Sequence, residues 1–169
     1  MVGESAIEKT VIGTVVGPLT ISGDRDFVHS IEFTGSGAVH DAENNPKHRV
    51  ASPAVNDAVD QLNRYFSGTL FSFDLPIILS GTDFQQNVWR IMQTIAYGQV
   101  LTYGDIALRL GNIRLSRAVG QAANRNPIPI VVPCHRVVGA KGAMVGFAAG
   151  VEVKEILLNH ERRFAETQI

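Results

Sequence analysis

The sequence predicts an α+β fold in two parts, a small N-terminal α/β domain at residues 1–80 and a mainly helical domain at residues 81–169 that contains a helix-turn-helix. Three observations predict it. Apolar and polar residues alternate over residues 9–33, which is typical of strands. Beyond residue 81 the apolar residues recur at helical spacing instead. The 169 residues, 45% of them hydrophobic, suffice for two small domains with proper cores.

A three-stranded meander is predicted at the start of the N-terminal domain. A Gly17-Pro18 turn separates the first two strands, and polar residues 23–26 separate the last two. Residues 34–50 are rich in glycine, asparagine, histidine and charge and indicate a loop, in which His40 and His48 lack the ligand spacing of a metal site. The predicted strands are Thr10–Val16, Leu19–Ser22 and Phe27–Phe33.

One helix and one short strand complete this domain. Ser52 fits the N-cap and Pro53 the first helical position, and Gly68 ends the helix. The apolar run Leu75–Leu79 then predicts a strand. Because no catalytic cluster is evident in this domain, we expect it to have a supporting role. The predicted apolar face of the helix is Val55, Val59, Leu62 and Phe66.

Four helices are predicted in the C-terminal domain. Thr82 and Gln85 have the spacing of a capping box, which begins the first helix. The second and third are short and joined by a turn at Gly111, which is the helix-turn-helix pattern. The first helix ends near Tyr97, and the others are Thr102–Leu110, about Leu115–Asn124 and about Val151–Arg163. The predicted apolar stripes are Phe84, Val88, Ile91, Met92 and Ile95 in the first helix and Val153, Ile156 and Leu157 in the last.

The single cysteine lies in the stretch between the third and fourth helices. Pro127, Pro129 and Pro133 each fix φ and lack an N–H, so we expect a stiff extended rod leading into Cys134. One cysteine forms no internal disulfide and excludes a zinc site built on several thiolates. Glycine-rich residues 139–150 follow; they predict a loop and lack the ending of a phosphate-binding loop.

Cys134 is the candidate nucleophile. A thiol with an ordinary pKa of about 8.5 is a few per cent thiolate near neutral pH, so a working nucleophile needs a base or a positive neighbour. His135 and Arg136 follow directly, and we expect the sulfur to be kept ionised and reachable. The alternative is a small buried hydrophobe beside an ordinary core histidine.

The charge is unevenly distributed along the chain. The formal net charge is −1, but residues 1–84 sum to −6, residues 85–147 to +6 and residues 148–169 to −1. A basic segment around the cysteine suits a polyanionic partner. Its cations are Arg90, Arg109, Arg114, Arg117, Arg125, Arg136 and Lys141.

The run Pro-Cys-His-Arg-Val-Val at residues 133–138, with Asn126-Pro127 before it and Lys154 to Glu161 after it, resembles the active-site signature of the O6-alkylguanine-DNA alkyltransferases. The resemblance implies a ribonuclease H-like N-terminal domain and a winged-helix-like C-terminal domain. It also implies four catalytic positions. These are the nucleophile Cys134, its base His135, Glu161 holding that base, and the hinge Asn126.

DNA-binding and pocket residues follow from the same resemblance. The third helix is dominated by small residues, including Ala118 and Gly120, and by resemblance it enters the minor groove, with Arg117 taking the place of the extruded nucleotide. Tyr103 is expected to contact both the DNA and the flipped base. The implied pocket residues are Tyr103, Pro129, Val137, Phe147, Ala148 and Lys154. The family generally has tyrosine where Phe147 stands and glycine or serine where Ala148 and Ala149 stand.

We therefore expect a DNA repair protein that flips O6-alkylguanine out of duplex DNA and transfers the alkyl group once, irreversibly, to Cys134, with O4-alkylthymine as a possible second substrate. No cofactor or metal is expected, because the damaged base is the donor. No membrane span or leader is evident, so we expect a cytoplasmic protein, nucleoid-associated in a bacterium. We expect the free protein to be a monomer, and leave open whether it binds DNA cooperatively.

Two other functions stay open at this point. A cysteine hydrolase using Cys134, His135 and Asn126 needs the same thiolate but leaves the basic segment unexplained. A DNA-binding module that recognises damage without chemistry leaves the cysteine unexplained.

Overall fold

The structure is a computed structural model and describes residues 6–34 and 51–167. It divides into two compact units, Met1–Leu79 and Ser80–Ile169. The loop predicted for residues 34–50, with His40 and His48, lies outside the described residues except for Thr34. Within the described ranges, no helix is both long enough and apolar enough to cross a membrane.

The first unit contains the predicted meander. Strands β1 (Glu8–Ile12), β2 (Leu19–Gly23) and β3 (Val28–Phe33) pair antiparallel in that order, with β2 in the centre and fully buried. The first strand is shorter than predicted because Thr14 and Gly17 exchange backbone hydrogen bonds of 3.2 and 3.0 Å, which closes the turn early.

Helix α1 (Pro53–Phe66) covers this sheet. Ser52 is its N-cap residue and Pro53 opens it, as predicted, although the Ser52 hydroxyl donates to the Asp24 carbonyl at 2.6 Å instead of capping the helix. The predicted face is wrong at two positions, since Val59 and Phe66 are half-buried and the stripe one residue earlier faces inward. The buried residues are Ala54, Val55, Ala58, Gln61, Leu62 and Tyr65.

The strand predicted at Leu75–Leu79 is also wrong. Only Ile77 pairs, in an isolated parallel bridge with Val28. The Val28 N–H donates to the Pro76 carbonyl at 2.8 Å, and Ile78 donates to the Val28 carbonyl at 3.0 Å. Pro76 has no N–H to extend the ladder, so the pairing stops at one bridge.

Helices form most of the second unit. The predicted capping box of Thr82 with Gln85 is present before α2 (Asp83–Gln93). A second one, Thr102 with Asp105, begins α3 (Tyr103–Arg109). Gly111, at φ +94°, lies in the turn after α3, and a short 3-10 turn leads into α4 (Ser116–Asn124). The remaining elements are the parallel strand pair β4 (Leu101–Thr102) and β5 (Val137–Val138), and helix α5 (Val151–Glu166).

The core of this unit lies between α2, α3 and α4, which contact one another. Trp89 of α2 is buried and donates its indole N–H to the Ala122 carbonyl of α4 at 2.9 Å. Helix α2 ends at Gln93, a turn before the predicted end. The inward stripe predicted for α5 is wrong at Ile156, which is 39% exposed. Its buried residues are instead Lys154, Leu157, Leu158 and Glu161.

The proline-rich segment before the cysteine is a buried turn, so the prediction of an extended rod is wrong. Val132 donates its N–H to the Ile128 carbonyl at 2.9 Å, and Pro129 and Val132 form a bridge. Ile130 takes φ +74° at the tip. Each proline fixes only its own φ, which left the residues between them free to reverse the chain.

Candidate active site

The single cysteine lies in a short 3-10 turn, Cys134–Arg136, between the proline-rich turn and β5. Its N–H donates to the Val132 carbonyl at 2.8 Å, and the Arg136 N–H donates to the Pro133 carbonyl at 3.0 Å. The residue is 6% exposed. The sulfur is therefore held by a rigid backbone just below the surface.

Asn126 fastens the proline-rich turn from within. Its side-chain amide donates to the Val132 carbonyl at 2.7 Å, and its side-chain oxygen accepts the Ile128 N–H at 3.0 Å. Both ends of the turn are thus tied to one side chain. The same amide lies beside Cys134 and favours its ionised form.

Burial raises the pKa of the Cys134 thiol to about 11, from an ordinary value of 9.0. The Asn126 amide, the adjacent N–H groups and the Lys154 ammonium oppose this shift only in part. The expectation of a sulfur kept ionised is therefore wrong for the free protein, because loss of hydration outweighs the positive neighbours. The thiol needs a base that removes its proton during reaction.

His135 and Glu161 meet as predicted. The His135 Nε2 atom lies 2.7 Å from Glu161 Oε1, and both side chains are fully buried. A carboxylate only accepts, so Nε2 bears the proton and Nδ1 the lone pair. Among the described residues Nδ1 has no hydrogen-bond partner. Burial lowers the pKa of His135, and Glu161 partly offsets this, so the ring is a neutral base.

Arg136 points inward and not to the surface. It was counted in the basic segment that suits a polyanionic partner, and this is a correction. Its Nε and Nη2 atoms each donate to Glu161 at 2.9 Å, and Nη1 donates to the Ile95 carbonyl at 2.6 Å. Gly98 adds its N–H to Glu161 at 2.9 Å. Sequence reasoning missed both contacts; the signal was a charged residue inside the apolar run at residues 130–138.

Tyr103 and Lys154 converge on the glycine-rich loop from two different helices. The Tyr103 hydroxyl lies 3.1 Å from the Val145 carbonyl and 3.0 Å from that of Gly146, and Lys154 Nζ donates to the same two at 2.8 and 3.4 Å. Burial lowers the pKa of Lys154 and raises that of Tyr103, and the nearby Cys134 affects both. These two donors thus hold the loop beside the sulfur.

A groove of about 620 Å³ opens between α3, α4 and the glycine-rich loop. Tyr103, Arg117 and Gly120 line it together, with Arg117 exposed. A Cβ at Gly120 would lie 3.7 Å from the Tyr103 ring, an ordinary contact distance, so the ring packs against α4 without requiring glycine there. Ala118 does not line this groove; it faces a smaller cavity of about 170 Å³ near the start of α2.

The other predicted pocket residues are dispersed around the turn and loop. Pro129 and Val137 are buried, Val137 being paired with Leu101 between β5 and β4. Phe147 is half-buried and Ala148 is exposed. The remaining cations of the basic segment are all exposed; they are Arg90, Arg109, Arg114, Arg117, Arg125 and Lys141. The part of the chain that the structure describes holds no cluster of metal-ligating side chains.

Comparison with known proteins agrees with this geometry. The model of the 6-O-methylguanine DNA methyltransferase DNA binding domain matches residues 83–163, and that of the ribonuclease-like domain of the same proteins matches residues 7–79. The methylated-DNA–protein-cysteine methyltransferase of Methanosarcina acetivorans is 44% identical over 151 residues, covering 86% of this chain and 92% of that protein. That of Mycobacterium bovis is 41% identical over 164 residues, covering 96% and 97%.

The fold agrees as well. The crystal structure of Mycobacterium tuberculosis OGT in complex with DNA superposes with a TM-score of 0.79 at 40% identity, covering 91% of this chain and 92% of that one. The α+β fold class and the resemblance drawn from the sequence are both confirmed. The chain belongs to the methylated-DNA–protein-cysteine methyltransferase family.

Proposed function

We propose that this protein repairs duplex DNA by transferring the alkyl group of O6-alkylguanine to its own Cys134, once per molecule. The observation that supports this most is one cysteine in a rigid turn, followed by a buried His135–Glu161 pair whose free imidazole nitrogen is unprotonated. The relatives are named as methyltransferases that act between methylated DNA and a protein cysteine. O4-alkylthymine is a second substrate to test.

The reaction balances without a cofactor. The sulfur attacks the alkyl carbon, a C–S bond forms, and the C–O6 bond breaks. The thiol proton passes to His135 Nδ1, which we place in contact with Cys134 through a water molecule, and then to the departing guanine. The chain has one cysteine, so no second thiol can attack the thioether and each molecule reacts once.

Tyr103 and Lys154 are proposed to stabilise the departing guanine. The Tyr103 hydroxyl has one proton, shared between two loop carbonyls, so it must leave them to reach a base. The Lys154 ammonium has three protons and donates to two carbonyls, which leaves one N–H for the substrate without breaking the loop contacts. We therefore assign the guanine oxygen to Lys154 and assign Tyr103 to the base edge. Pro129, Val137, Phe147 and Ala148 are assigned to the pocket wall, where Phe147 offers apolar packing and no phenol hydrogen bond.

Helix α4 is proposed to enter the minor groove. The exposed Arg117 lies at its first turn, on the rim of the groove that Tyr103 and Gly120 also line. We assign Arg117 to the space that the flipped nucleotide vacates and the small Gly120 and Ala118 to close contact with DNA. The exposed cations of this unit favour a phosphate backbone. The N-terminal unit is assigned a supporting role, and the free protein is proposed to be a cytoplasmic monomer.

Intact mass measurement tests the alkyl transfer. Incubation with an oligonucleotide duplex containing O6-methylguanine should add one methyl group to the protein, and Cys134→Ala should gain none. Yield should stop at one equivalent. Turnover well beyond one equivalent, or a mass gain that persists in Cys134→Ala, would contradict the proposal.

A further inference from the structure

Glu161 is the most heavily bonded carboxylate that the structure describes. It is fully buried on α5 and accepts hydrogen bonds from three residues in two chain segments, namely Gly98 after α2, and His135 and Arg136 in the cysteine turn. Arg136 alone provides two contacts of 2.9 Å, one to each carboxylate oxygen. This two-point contact fixes the plane of the carboxylate as well as its position.

We propose that Arg136 is a positioning residue of the alkyl transfer: it holds Glu161 ionised and oriented so that His135 keeps its proton on Nε2 and presents a neutral Nδ1 to the thiol. The inference rests on the proposed function of Cys134. It concerns a residue that touches neither sulfur nor substrate and acts only through Glu161 and His135.

Charge balance is the reason for two partners on one carboxylate. A buried carboxylate paired with His135 alone would favour an imidazolium, which cannot accept the thiol proton. Arg136 already neutralises Glu161, so the histidine can remain uncharged. The electrostatic effects on His135 agree, because Glu161 raises its pKa while burial, Arg136 and Lys154 lower it.

The remaining groups around the pair do not supply this balance. Tyr97 faces Glu161 and Arg136, but burial and the Glu161 charge raise its pKa to about 12, so it is neutral. Cys134 is protonated in the free protein. Lys154 donates to the loop carbonyls of Val145 and Gly146. Among the described residues, Arg136 is the cation in direct contact with the carboxylate.

The wild-type protein provides the first test. Full-length protein labelled with ¹⁵N-histidine is titrated between pH 5 and 9 without DNA, and His135 is assigned by comparison with His135→Gln. We expect the Nε2–H tautomer with an unprotonated Nδ1 across neutral pH. A His135 that is cationic at neutral pH, or that has its proton on Nδ1, would overturn the proposal, and this measurement does not depend on any Arg136 variant folding.

Two variants then separate charge from geometry. Arg136→Met should raise the protonation midpoint of His135 by at least one pH unit, a tenfold change, and shift the acid limb of the rate of methyl transfer by the same amount. Arg136→Lys keeps the charge but loses the two-point contact. Its midpoint should stay as in the wild type while the rate falls about tenfold to hundredfold, the loss typical of residues that orient a metal-bound histidine.

An unchanged midpoint in a folded Arg136→Met would refute the charge argument. If that variant does not fold, the wild-type titration and the Lys variant decide. Because the titration needs no DNA, failure of Cys134 to gain a methyl group would remove the proposed function while leaving the assignment of Arg136 to His135 standing.

Discussion

The pH dependence of Cys134 reactivity follows from its burial. With a pKa of about 11 instead of 9.0, the thiol at pH 7.5 is ionised in about 1 molecule in 3,000, against about 3% for an ordinary thiol. The difference of two pH units corresponds to about 3 kcal/mol in favour of the protonated form. The thiolate is the form that attacks iodoacetamide, so labelling at pH 7.5 should be about 100-fold slower than that of a cysteine peptide.

The slope with pH distinguishes this effect from simple shielding. Shielding of the sulfur lowers the labelling rate equally at every pH, whereas a raised pKa makes the rate climb about tenfold per pH unit from pH 7 to 10. Since the chain has a single cysteine, intact mass reports Cys134 alone, and Cys134→Ala is the blank. A labelling rate that levels off near pH 7 would refute the reasoning, because it would show a stabilised thiolate.

Repair should not follow the same curve. If His135 accepts the thiol proton during transfer, the rate with methylated duplex should be nearly flat where iodoacetamide labelling still climbs. His135→Gln should then lose about 10²- to 10⁴-fold in repair at pH 7.5, the usual range for a general base. The same variant should label with iodoacetamide at pH 10 close to the wild-type rate, which shows that the fold around the sulfur is intact.

Three further outcomes are expected. Burial opposes ionisation of Glu161, but His135 and Arg136 outweigh it and hold the pKa of this carboxyl below its ordinary 4.5. The ionised form stabilises the fold, so this contribution is complete above pH 4.5 and is lost as the pH falls. Glu161→Gln should therefore lower the free energy of unfolding by about 3–5 kcal/mol in urea denaturation at pH 7, and should reduce the further loss of stability at acid pH. Arg117→Ala should slow repair of duplex DNA but leave reaction with the free base unchanged, and an equal loss on both would speak against nucleotide extrusion. Tyr103→Phe removes one donor to the Val145 and Gly146 carbonyls, so hydrogen exchange of residues 143–148 should quicken, and unchanged exchange would show that Lys154 alone holds the loop.

Local signals in the sequence predicted where elements begin. The capping box predicted at Thr82 is complete within four residues and is present in the structure, and the helix start predicted at Thr102 is confirmed by a second box there. The strands of the meander were equally readable because their alternation is local. The partnership of His135 with Glu161, by contrast, was expected only from the family resemblance, since nothing in the local sequence joins residues 26 positions apart.

Errors arose where a distant partner decides the direction of a side chain. Arg136 was counted in the basic segment expected to suit a polyanionic partner, yet it is buried because the Ile95 carbonyl and the Glu161 carboxylate accept hydrogen bonds from it. The prediction of an extended rod in the proline-rich segment was wrong for another reason. Each proline restricts its own φ but not that of Ile130, whose left-handed conformation turns the chain. Asn126 then hydrogen-bonds to Ile128 and Val132, one on each side of this turn.

Burial of the sulfur has a consequence for the single reaction per molecule that we propose. A permanently ionised Cys134 would react with any soluble electrophile or oxidant, and each such event would inactivate one molecule. The raised pKa keeps the thiol protonated and slow toward reagents that bring no means of taking up its proton. In the proposed mechanism the neutral Nδ1 of His135, held by Glu161 and Arg136, removes that proton only while the alkyl group of a bound guanine is being transferred. Selectivity for the alkylated base then comes from ionising the thiol only when substrate is present. A thiolate already formed in the free protein would lack this selectivity.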